Sequence, residues 1–293
     1  MSDPTFLVSG AGGKFGRIVV ERLLAEQAGK AIAGSRDPAR LADLAAKGAE
    51  TRRVDFDDPA SLDAAFRGVD RLLIVSTDAL GVPGLRIRQH RAAVDAAARA
   101  GVGHVVYTSM PRPEPGSLIP FAPDHYETEQ ALLKSGLAHT ILRNSWYAEN
   151  LLMSLPQVLA SGKWFSAAGE GRVAHVARAD AAAAAAEALV STPGGRLDVT
   201  GPELLTIREI AATAADVFAK PVEVVPVSDA ELVAGLAAAG VPAAIAALIV
   251  AFDANTRAGG ADVRSDAVEK RTGAPPRRLR EVLAANRRAL AAA

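Results

Sequence analysis

Short apolar runs alternate with segments of helical periodicity through the first half of the chain. The first apolar run, FLV at 6–8, leads directly into RIVVERLLAEQ, whose apolar positions recur with the period of a helix. Five further strand-like runs follow along the chain: KAIAGSR, AETRRVDF, RLLIVST, HVVYTSM and HTILRN. The uninterrupted apolar character of RLLIVST is typical of a parallel strand buried on both faces. This alternation predicts an α/β fold with right-handed crossovers and a doubly wound parallel sheet.

The pattern is less regular after residue 150. GEGRVAHVARAD and GRLDVTG predict two further strands, and TIREIAATAADVFA predicts a helix that begins with a capping box of Thr206 and Glu209. The alanine run at 181–186 predicts a closely packed helix, because it is too short to span a membrane and is flanked by charges. The apolar helix pair at 229–255 is compatible with a lid, a dimer surface or ordinary core. The basic segment at 271–288 predicts a helix with a solvated face.

Glycines interrupt the pattern where the first strand meets the first helix. Gly10, Gly13 and Gly16 are spaced G-x-x-G-x-x-G, one residue longer than the common dinucleotide fingerprint, and Gly12 adds a second glycine after the first. Peptide N–H groups converge at a helix N-terminus, where the macrodipole favours negative charge, so the segment predicts a phosphate site. The alternative is an ordinary strand-to-helix turn. The predicted cofactor contacts in this segment are Gly10, Gly12, Gly13, Lys14, Phe15 and Gly16.

The glycines have separate predicted roles. We expect Gly10 to make the tight turn, Gly12 and Gly13 to let the backbone approach a pyrophosphate, and Gly16 to let the helix pack on the strand. Ligands in doubly wound sheets bind at the carboxyl ends of the strands, which directs attention to the ends of the later runs. The residues at those ends are Ser35, Arg36, Asp55, Phe56, Ser76, Thr77, Thr108 and Ser109. We predict that the first six of them contact the cofactor.

Arg36 indicates which dinucleotide is bound. The second strand of NAD-preferring folds commonly ends near an acidic residue that bonds the ribose, whereas this strand ends with Gly34, Ser35 and Arg36. A hydroxyl and a guanidinium suit a 2′-phosphate, because arginine can grip a phosphate with a bidentate pair. The sequence therefore favours NADP over NAD. Two alternatives stay open: a one-residue shift of register would bring Asp37 to the acidic position, or Arg36 is a solvated arginine before the helix DPARL.

Composition excludes several classes of function. Thirty-three basic and thirty-three acidic residues give no electrostatic reason to expect nucleic acid or an anionic membrane as partner. The chain has no cysteine, which rules out disulfides and thiolate zinc sites, and the five histidines show no metal-ligand spacing. The residues before the first strand, MSDPT, carry no signal-peptide pattern. We expect a cytoplasmic, metal-free protein with a small-molecule substrate, as a monomer or homodimer.

Several blocks resemble one known family. HYETEQALLKSGLAHTILRNSWYAEN, together with VSGAGGKFG, DFDDPASL, VVYTSM and VARADAAAAAAEAL, is similar to the NmrA-like atypical short-chain dehydrogenases, most closely the quinone oxidoreductase and triphenylmethane reductase branch. The resemblance covers nearly the whole chain. It implies a Rossmann-type NADP-binding domain over 1–150 and a smaller α/β substrate domain over 151–293, whose strands are able to rejoin the first sheet. It also implies NADPH as cofactor, without flavin or metal.

The proton-transfer residues depart from the wider superfamily. Ordinary short-chain dehydrogenases place Tyr-x-x-x-Lys on one helix face, so that the ammonium lowers the pKa of the phenol. Here Gln130 stands four residues after Tyr126, and a neutral amide supplies no such charge. Ser109 lies where the superfamily's serine is expected, and a hydroxyl that caps the strand end is an equal alternative. We therefore do not assign the usual carbonyl-reductase mechanism.

A quinone acceptor makes the missing tyrosine and lysine pair tolerable, because hydride transfer to a quinone gives a stabilised hydroquinone anion. We predict that Asn144, Tyr147, Ser109 and His125 are catalytic and that Trp146 and Tyr126 contact the substrate, with packing between domains as the alternative for Trp146 and Tyr147. His125 is either a proton donor or, as the sequence favours, a cap of the following helix. Two functions remain: an NADPH-dependent reductase of quinones or similar electron-poor aromatic compounds, and an NmrA-like NAD(P)-binding sensor without turnover.

Overall fold

The computed structural model describes residues 3–287 and centres on a seven-stranded parallel sheet. The strands of the chain are β1 (Thr5–Val8), β2 (Lys30–Ser35), β3 (Glu50–Arg53), β4 (Arg71–Ile74), β5 (His104–Ser109), β6 (His139–Asn144), β7 (Lys163–Ser166), β8 (Arg172–Val173), β9 (Gly195–Val199), β10 (Leu205–Thr206) and β11 (Glu223–Pro226). The large sheet has the order β3-β2-β1-β4-β5-β6-β9, and every neighbouring pair in it is parallel. The order reverses between β1 and β4, which is the switch point where such sheets bind ligands.

Twelve α-helices connect and cover these strands in the described part of the chain. They are α1 (Lys14–Ala25), α2 (Ala42–Ala46), α3 (Pro59–Phe66), α4 (Leu85–Arg99), α5 (Ala122–Lys134), α6 (Leu155–Ser161), α7 (Arg178–Val190), α8 (Ile207–Phe218), α9 (Asp229–Ala238), α10 (Ala243–Arg257), α11 (Ala267–Thr272) and α12 (Leu279–Ala285). Two short 3-10 helices lie at Pro38–Leu41 and Ala148–Met153. None of the helices within 3–287 is long and apolar enough to cross a membrane.

Two apolar layers hold the helices on the sheet. Phe6 and Val8 of β1 face the layer formed with α1, α2, α7 and α11, whereas Leu7 faces the layer formed with α3, α4 and α5. Successive strand residues point to opposite faces, so one short apolar strand serves both layers. A fully buried side chain of this size contributes about 1.5–3 kcal/mol. The predicted doubly wound α/β fold is confirmed.

The alanine run forms the inner part of α7. Ala181–Ala186 are all buried, and α7 packs against α1 and α11. Methyl side chains let helix axes approach closely, and this close packing confirms the prediction made from the run. After α7 the chain enters β9, which pairs in parallel with β6. The elements α7 and β9, although they follow residue 150, thus belong to the layers of the main sheet.

A second, smaller unit is built from residues after 150. β7 pairs in parallel with β11, β8 pairs antiparallel with β10, and α8 and α12 pack together beside them. The predicted capping box of Thr206 and Glu209 is present at the start of α8. The predicted basic helix is shorter than 271–288, because Pro275 and Pro276 precede α12, and the apolar side of α12 is buried. Its solvated face is therefore only one side of the helix, and Arg288 lies outside the described residues.

The apolar pair at 229–255 forms α9 and α10, which are separated at Gly240 by a left-handed turn with φ of +77°. Most side chains of α9 are exposed, including Val233. Phe252 of α10 instead reaches Phe121 and Trp146 near the carboxyl edge of the main sheet. Of the three alternatives for this segment, the position of α10 favours a cover over that edge.

Candidate cofactor and active site

The glycine segment forms an open turn at the N-terminus of α1. Gly10 has φ of +65°, a conformation that side chains rarely adopt, and the N–H of Gly13 donates to its carbonyl at 2.9 Å. A Cβ on Gly16 would lie only 2.6 Å from the carbonyl oxygen of Gly10, so the helix can approach the turn only with glycine there. Gly13 caps α1 without a side chain, and Gly12, Gly13 and Lys14 are exposed. The first N–H groups of α1 are therefore free to bind an anion.

The end of β2 lies beside this turn. The Cβ position of Gly12 is 3.5 Å from the hydroxyl oxygen of Ser35. The carboxylate of Asp37 accepts a bond of 3.1 Å from the N–H of Ala39 and so caps the 3-10 helix Pro38–Leu41. Because Asp37 is used as a cap, the register that would bring it to a ribose is disfavoured. The side chain of Arg36 is exposed and forms no hydrogen bond or ion pair with another described residue.

The ends of β3 and β4 border the same edge. Asp55 is half-buried and paired with Arg53 at 2.8 Å, and Phe56 is buried in the layer of α3. A Cβ on Gly10 would contact Val75 at 3.3 Å, which brings the turn after β4 next to the glycine turn. The N–H of Ser76 donates to the hydroxyl oxygen of Thr108 at 2.9 Å. The predicted contacts at the ends of β2 and β4 therefore adjoin the glycine turn along one rim of the sheet, and Thr108 at the end of β5 continues that rim beside Ser76.

The backbone of Thr77 is hydrogen-bonded to two side chains of α4. Its N–H donates to Nε2 of His90 at 3.0 Å, and its carbonyl accepts from Nε of Arg86 at 2.7 Å. The side-chain oxygen of Thr77 is buried and has no hydrogen-bond partner among the described residues. His90 and Arg86 both lie on the inner face of α4.

His125 lies beneath the rim and does not cap a helix. The favoured role as a helix cap is wrong, because α5 begins at Ala122 and His125 lies within its first turns. Its Nε2 lies 2.9 Å from Nη2 of Arg86, and its Nδ1 lies 2.8 Å from the hydroxyl of Tyr107. Burial, with smaller contributions from Arg86 and His90, holds the pKa of His125 well below its ordinary value. The imidazole is thus neutral.

Ser109 is bonded to a buried ion pair. Its hydroxyl donates to Oε1 of Glu129 at 2.6 Å, and Glu129, which is only 1% exposed, also accepts from Nε and Nη2 of Arg143 at 3.0 and 2.6 Å. Nη2 of Arg143 also donates to Glu114 at 2.6 Å. The single hydroxyl hydrogen of Ser109 is therefore already donated, and its oxygen retains only acceptor capacity toward a substrate.

Asn144 and Tyr147 connect the end of β6 to the glycine helix. Nδ2 of Asn144 lies 3.2 Å from the hydroxyl of Tyr147, and Oδ1 of this buried amide has no partner among the described residues. The ring of Tyr147 stacks on Phe15 with centroids 6.0 Å apart, and the guanidinium of Arg178 lies 5.0 Å from the ring centroid. Burial is the main cause that raises the pKa of Tyr147 to about 12. Tyr147 is therefore a neutral hydroxyl.

An aromatic cluster lies next to Asn144. The ring centroid of Trp146 is 4.8 Å from that of Phe252 and 6.4 Å from that of Phe121, and Nε1 of Trp146 is buried without a partner in the described structure. Tyr126 lies half-buried on α5, and Gln130 follows one turn later, also half-buried. The cluster offers flat apolar surface beside unpaired polar atoms, an arrangement suited to an aromatic ligand.

Sequence reasoning missed four buried polar residues around this site. They are Arg86, His90, Tyr107 and Glu129. One signal was available, because Arg86 and His90 are four residues apart on α4, as are His125 and Glu129 on α5, so each pair shares the inward face of its helix. Among residues 3–287, no group of three or more histidine, aspartate or glutamate side chains is arranged to hold a metal ion.

Comparisons with known proteins agree with this geometry. A family model described as NAD(P)H-binding matches residues 10–192. Quinone oxidoreductase 2 of Escherichia coli (strain K12) is 35% identical over 277 residues, which is 94% of this chain and 96% of that protein. The crystal structure of an NADPH-dependent quinone oxidoreductase from Escherichia coli complexed with NADPH superposes with a TM-score of 0.89 and 34% identity, over 96% of this chain and 99% of that one. Triphenylmethane reductase of Citrobacter sp. gives a TM-score of 0.90 and 32% identity, over 97% and 99%. The resemblance stated from the sequence motifs is confirmed.

Proposed function

The chain belongs to the NAD(P)H-binding protein family, and from this premise we propose that it is an NADPH-dependent reductase that transfers hydride to a quinone or a similar electron-poor aromatic acceptor. The observation that carries the proposal is the match, along nearly the whole of both chains, to an NADPH-dependent quinone oxidoreductase. Details of this chain's own site support each part of it.

The residues at the glycine turn fit a dinucleotide phosphate. The N–H groups at the start of α1 have no side-chain cap. The carbonyl of Gly10 leaves no room for a side chain on Gly16, so the helix lies close to the turn. Gly12 and Gly13 would hold the pyrophosphate there. Asp55, Phe56, Ser76 and Thr77 border the same edge, and the free hydroxyl oxygen of Thr77 is an orphaned polar atom that a ligand can satisfy.

The end of β2 supports NADPH rather than NADH. Arg36 is free of carboxylate partners in the described structure, while the nearest acidic residue, Asp37, caps the following 3-10 helix. The guanidinium and the hydroxyl of Ser35 would together hold the 2′-phosphate. In an NAD-preferring site an acidic residue would bond the ribose. Asp37 does not take that role here, because its side chain caps the 3-10 helix.

The acceptor would lie beside Asn144 and the aromatic cluster. When bound, NADPH supplies the hydride, and the second hydrogen of the hydroquinone comes as a proton from water. The flat surfaces of Trp146, Phe121 and Phe252 favour a planar ring. Asn144 retains one Nδ2 hydrogen, which would bond an acceptor oxygen and stabilise the negative charge that develops there. Its unpaired Oδ1 can only accept a hydrogen bond, so it would contact a donor group of the bound molecules.

The four predicted catalytic residues have different proposed roles. Asn144 and Tyr147 would contact the reacting molecules, with Tyr147 neutral throughout because burial raises its pKa to about 12. Ser109 would act only as an acceptor, because its hydrogen is donated to Glu129. His125 would act through its neighbours, since it is buried below the rim. Trp146 and Tyr126 stay proposed substrate contacts.

Oxidation of NADPH at 340 nm against a panel of simple quinones tests the proposal. We expect turnover with NADPH and quinones, slower turnover with NADH, and no flavin requirement. The same assay with triphenylmethane dyes, azo dyes and simple ketones gives the acceptor class. Tight NADPH binding without turnover of any acceptor would contradict the reductase.

A second candidate function is an NADPH-binding sensor without turnover. Gln130 favours it, because the position one turn after Tyr126 lacks the lysine that the wider superfamily uses.

We propose that the protein works in the cytoplasm in either case, which the absence of cysteine favours. We propose a small-molecule substrate, no nucleic-acid partner and a monomeric or homodimeric state.

A further inference from the structure

A buried polar cluster underlies the turn after β4. It consists of Arg86 and His90 from α4, Tyr107 from β5, and His125 and Thr128 from α5. None of these residues is more than 5% exposed. Burying a polar group costs free energy unless the group is hydrogen-bonded. A cluster of buried polar side chains in an otherwise apolar layer therefore calls for a functional explanation.

The bonds of the cluster determine the protonation of both histidines. A backbone N–H can only donate, so Nε2 of His90, 3.0 Å from the nitrogen of Thr77, must accept. A guanidinium can only donate, so Nε2 of His125, 2.9 Å from Arg86, must accept as well. Each neutral imidazole then carries its hydrogen on Nδ1.

The Nδ1 hydrogens complete the cluster. Nδ1 of His90 lies 3.0 Å from the hydroxyl oxygen of Thr128, which in turn donates to the carbonyl of Asp124 at 2.6 Å. Nδ1 of His125 lies 2.8 Å from the hydroxyl of Tyr107. Burial lowers the pKa of His90 to about 3, which agrees with a neutral ring. The two rings thus have one arrangement of hydrogens, and Nε2 of His90 always faces Thr77 as an acceptor.

The cluster bonds the peptide groups on both sides of Thr77. His90 accepts the N–H, and Nε of Arg86 donates to the carbonyl at 2.7 Å. Arg86 is itself oriented by His125, by Asp124 at 3.8 Å and by the ring of Phe121 at 5.4 Å. The Thr77 side chain, by contrast, has a buried oxygen without a partner. Both backbone hydrogen-bonding groups of Thr77 are therefore paired with side chains of α4, while its hydroxyl remains available to a ligand.

We propose that Arg86, His90, Tyr107 and His125 are positioning residues that hold the Thr77 peptide in the conformation needed to bind the nicotinamide cofactor. The inference rests on the NADPH-binding role proposed above. Loops are the mobile parts of such folds, and binding costs less when the contacting groups are already ordered. The cluster orders the turn before the cofactor arrives. Its members act through Thr77 and do not touch the cofactor.

Two isosteric substitutions at one position separate this role from general stability. His90→Gln places an amide oxygen near the position of Nε2 and keeps the acceptor for Thr77. His90→Asn places its amide near the position of Nδ1, so it keeps the bond toward Thr128 and loses the acceptor. We expect the Kd for NADPH, measured by titration without turnover, to rise about 10-fold in His90→Asn and less than about 3-fold in His90→Gln.

His104→Asn is the matched control. His104 is also buried and neutral, and its Nε2 contacts Thr140 at 2.9 Å, but it lies at the amino end of β5, away from the rim. We expect His104→Asn to lower the Tm by about as much as His90→Asn does and to leave the Kd for NADPH unchanged. Hydrogen exchange of the peptide that contains Thr77 should be faster in His90→Asn than in His90→Gln.

Tyr107→Phe is a milder second variant in case His90→Asn does not fold. It removes the acceptor of His125 and keeps the ring, and we expect a rise of about 3-fold in Kd together with faster exchange at Thr77. Equal Kd values for His90→Asn and His90→Gln, or for Tyr107→Phe and the unmodified protein, would overturn the inference and leave the proposed function intact. Tight NADPH binding without turnover of any quinone would overturn the proposed function and leave the inference intact.

Discussion

The hydroxyl of Ser109 donates a hydrogen bond of 2.6 Å to the buried carboxylate of Glu129. The same carboxylate is bonded twice by the guanidinium of Arg143. A serine with one hydrogen cannot donate to both Glu129 and a substrate oxygen. The relationship distinguishes this site from short-chain dehydrogenases in which a serine donates to the reacting carbonyl.

Ser109→Ala is therefore expected to have little effect on turnover. We expect kcat to fall less than about 3-fold, whereas loss of a proton-transfer group costs about 10²- to 10⁴-fold. The free energy of unfolding should fall by about 1 kcal/mol, because one hydrogen bond to Glu129 is lost. NADPH oxidation and thermal unfolding check both values.

Glu129→Gln is the companion variant. It leaves Arg143 without its buried carboxylate partner and should lower the free energy of unfolding by about 3–5 kcal/mol. A fall of more than about 100-fold in kcat for Ser109→Ala at unchanged Tm would contradict this account and restore a catalytic donor role.

Arg36→Ala should change cofactor preference. Because Arg36 has no carboxylate partner in the described structure, its loss removes charge-assisted bonds to the 2′-phosphate. We expect NADPH binding to weaken by about 1.5–3 kcal/mol, about 10- to 150-fold in Kd, with NADH binding unchanged. Arg67→Ala, at an exposed arginine after α3, is the control and should change neither Kd. Equal losses for both cofactors would remove the proposed 2′-phosphate contact.

Gly16→Ala should damage the glycine turn. The added Cβ would lie 2.6 Å from the carbonyl oxygen of Gly10, which is backbone and cannot rotate away. We expect a loss of about 1–3 kcal/mol or more in the free energy of unfolding and a weaker NADPH complex. Gly235→Ala is the control, because a Cβ on that residue of α9 has open space, and it should stabilise by about 0.5–1 kcal/mol. Unchanged stability of Gly16→Ala, measured by denaturant unfolding, would contradict the tight packing.

Trp146→Leu tests the aromatic wall. Trp146 faces Phe252 and Phe121, and loss of an aromatic surface costs about 0.5–1.5 kcal/mol, or about 2- to 12-fold. We expect KM for the quinone to rise by this factor with KM for NADPH unchanged. Trp164→Leu, at the tryptophan of β7 in the smaller unit, is the control and should leave both KM values unchanged. A rise in KM for NADPH alone would place Trp146 on the cofactor side.

Acid should destabilise the protein through its buried neutral histidines. Burial lowers the pKa of His90 to about 3 and that of His104 to about 4, from about 6.5 in the unfolded chain. The unfolded state then binds more protons below pH 6.5, so stability is fully present above that pH. It is lost as pH falls from about 6.5 to about 4 for His104 and to about 3 for His90. Each histidine contributes a slope of at most about 1.4 kcal/mol per pH unit.

His104→Asn should reduce that slope. The variant lacks one titrating group, so its free energy of unfolding should fall less steeply between about pH 6.5 and 4 than that of the unmodified protein, by on the order of 1 kcal/mol per pH unit. Urea unfolding over this range measures the difference. Identical slopes would show that His104 ionises in the folded state as it does in the unfolded chain.

The sequence by itself determined the fold class and the position of the cofactor turn. Apolar runs of strand length that alternate with helical segments admit few arrangements besides a parallel sheet covered on both faces, and Leu7 between Phe6 and Val8 shows why one run serves both layers. Gly10 and Gly16 followed from spacing, because a left-handed turn and a close helix approach both require glycine locally. These properties depend on neighbouring residues along the chain.

Tertiary structure alone decided what the polar side chains do. Sequence left Asp37 open as a ribose ligand, favoured His125 as a helix cap and left Ser109 open between the superfamily's serine and a cap of the strand end. In the fold, Asp37 caps a 3-10 helix, His125 bonds Tyr107 and Arg86, and Ser109 bonds Glu129. The last two results depend on how α4 and α5 dock against β5, which brings together residues 18 to 39 positions apart. Because a side-chain hydrogen bond forms only at about 3 Å, such pairings follow from the packing of whole elements and not from spacing along the chain.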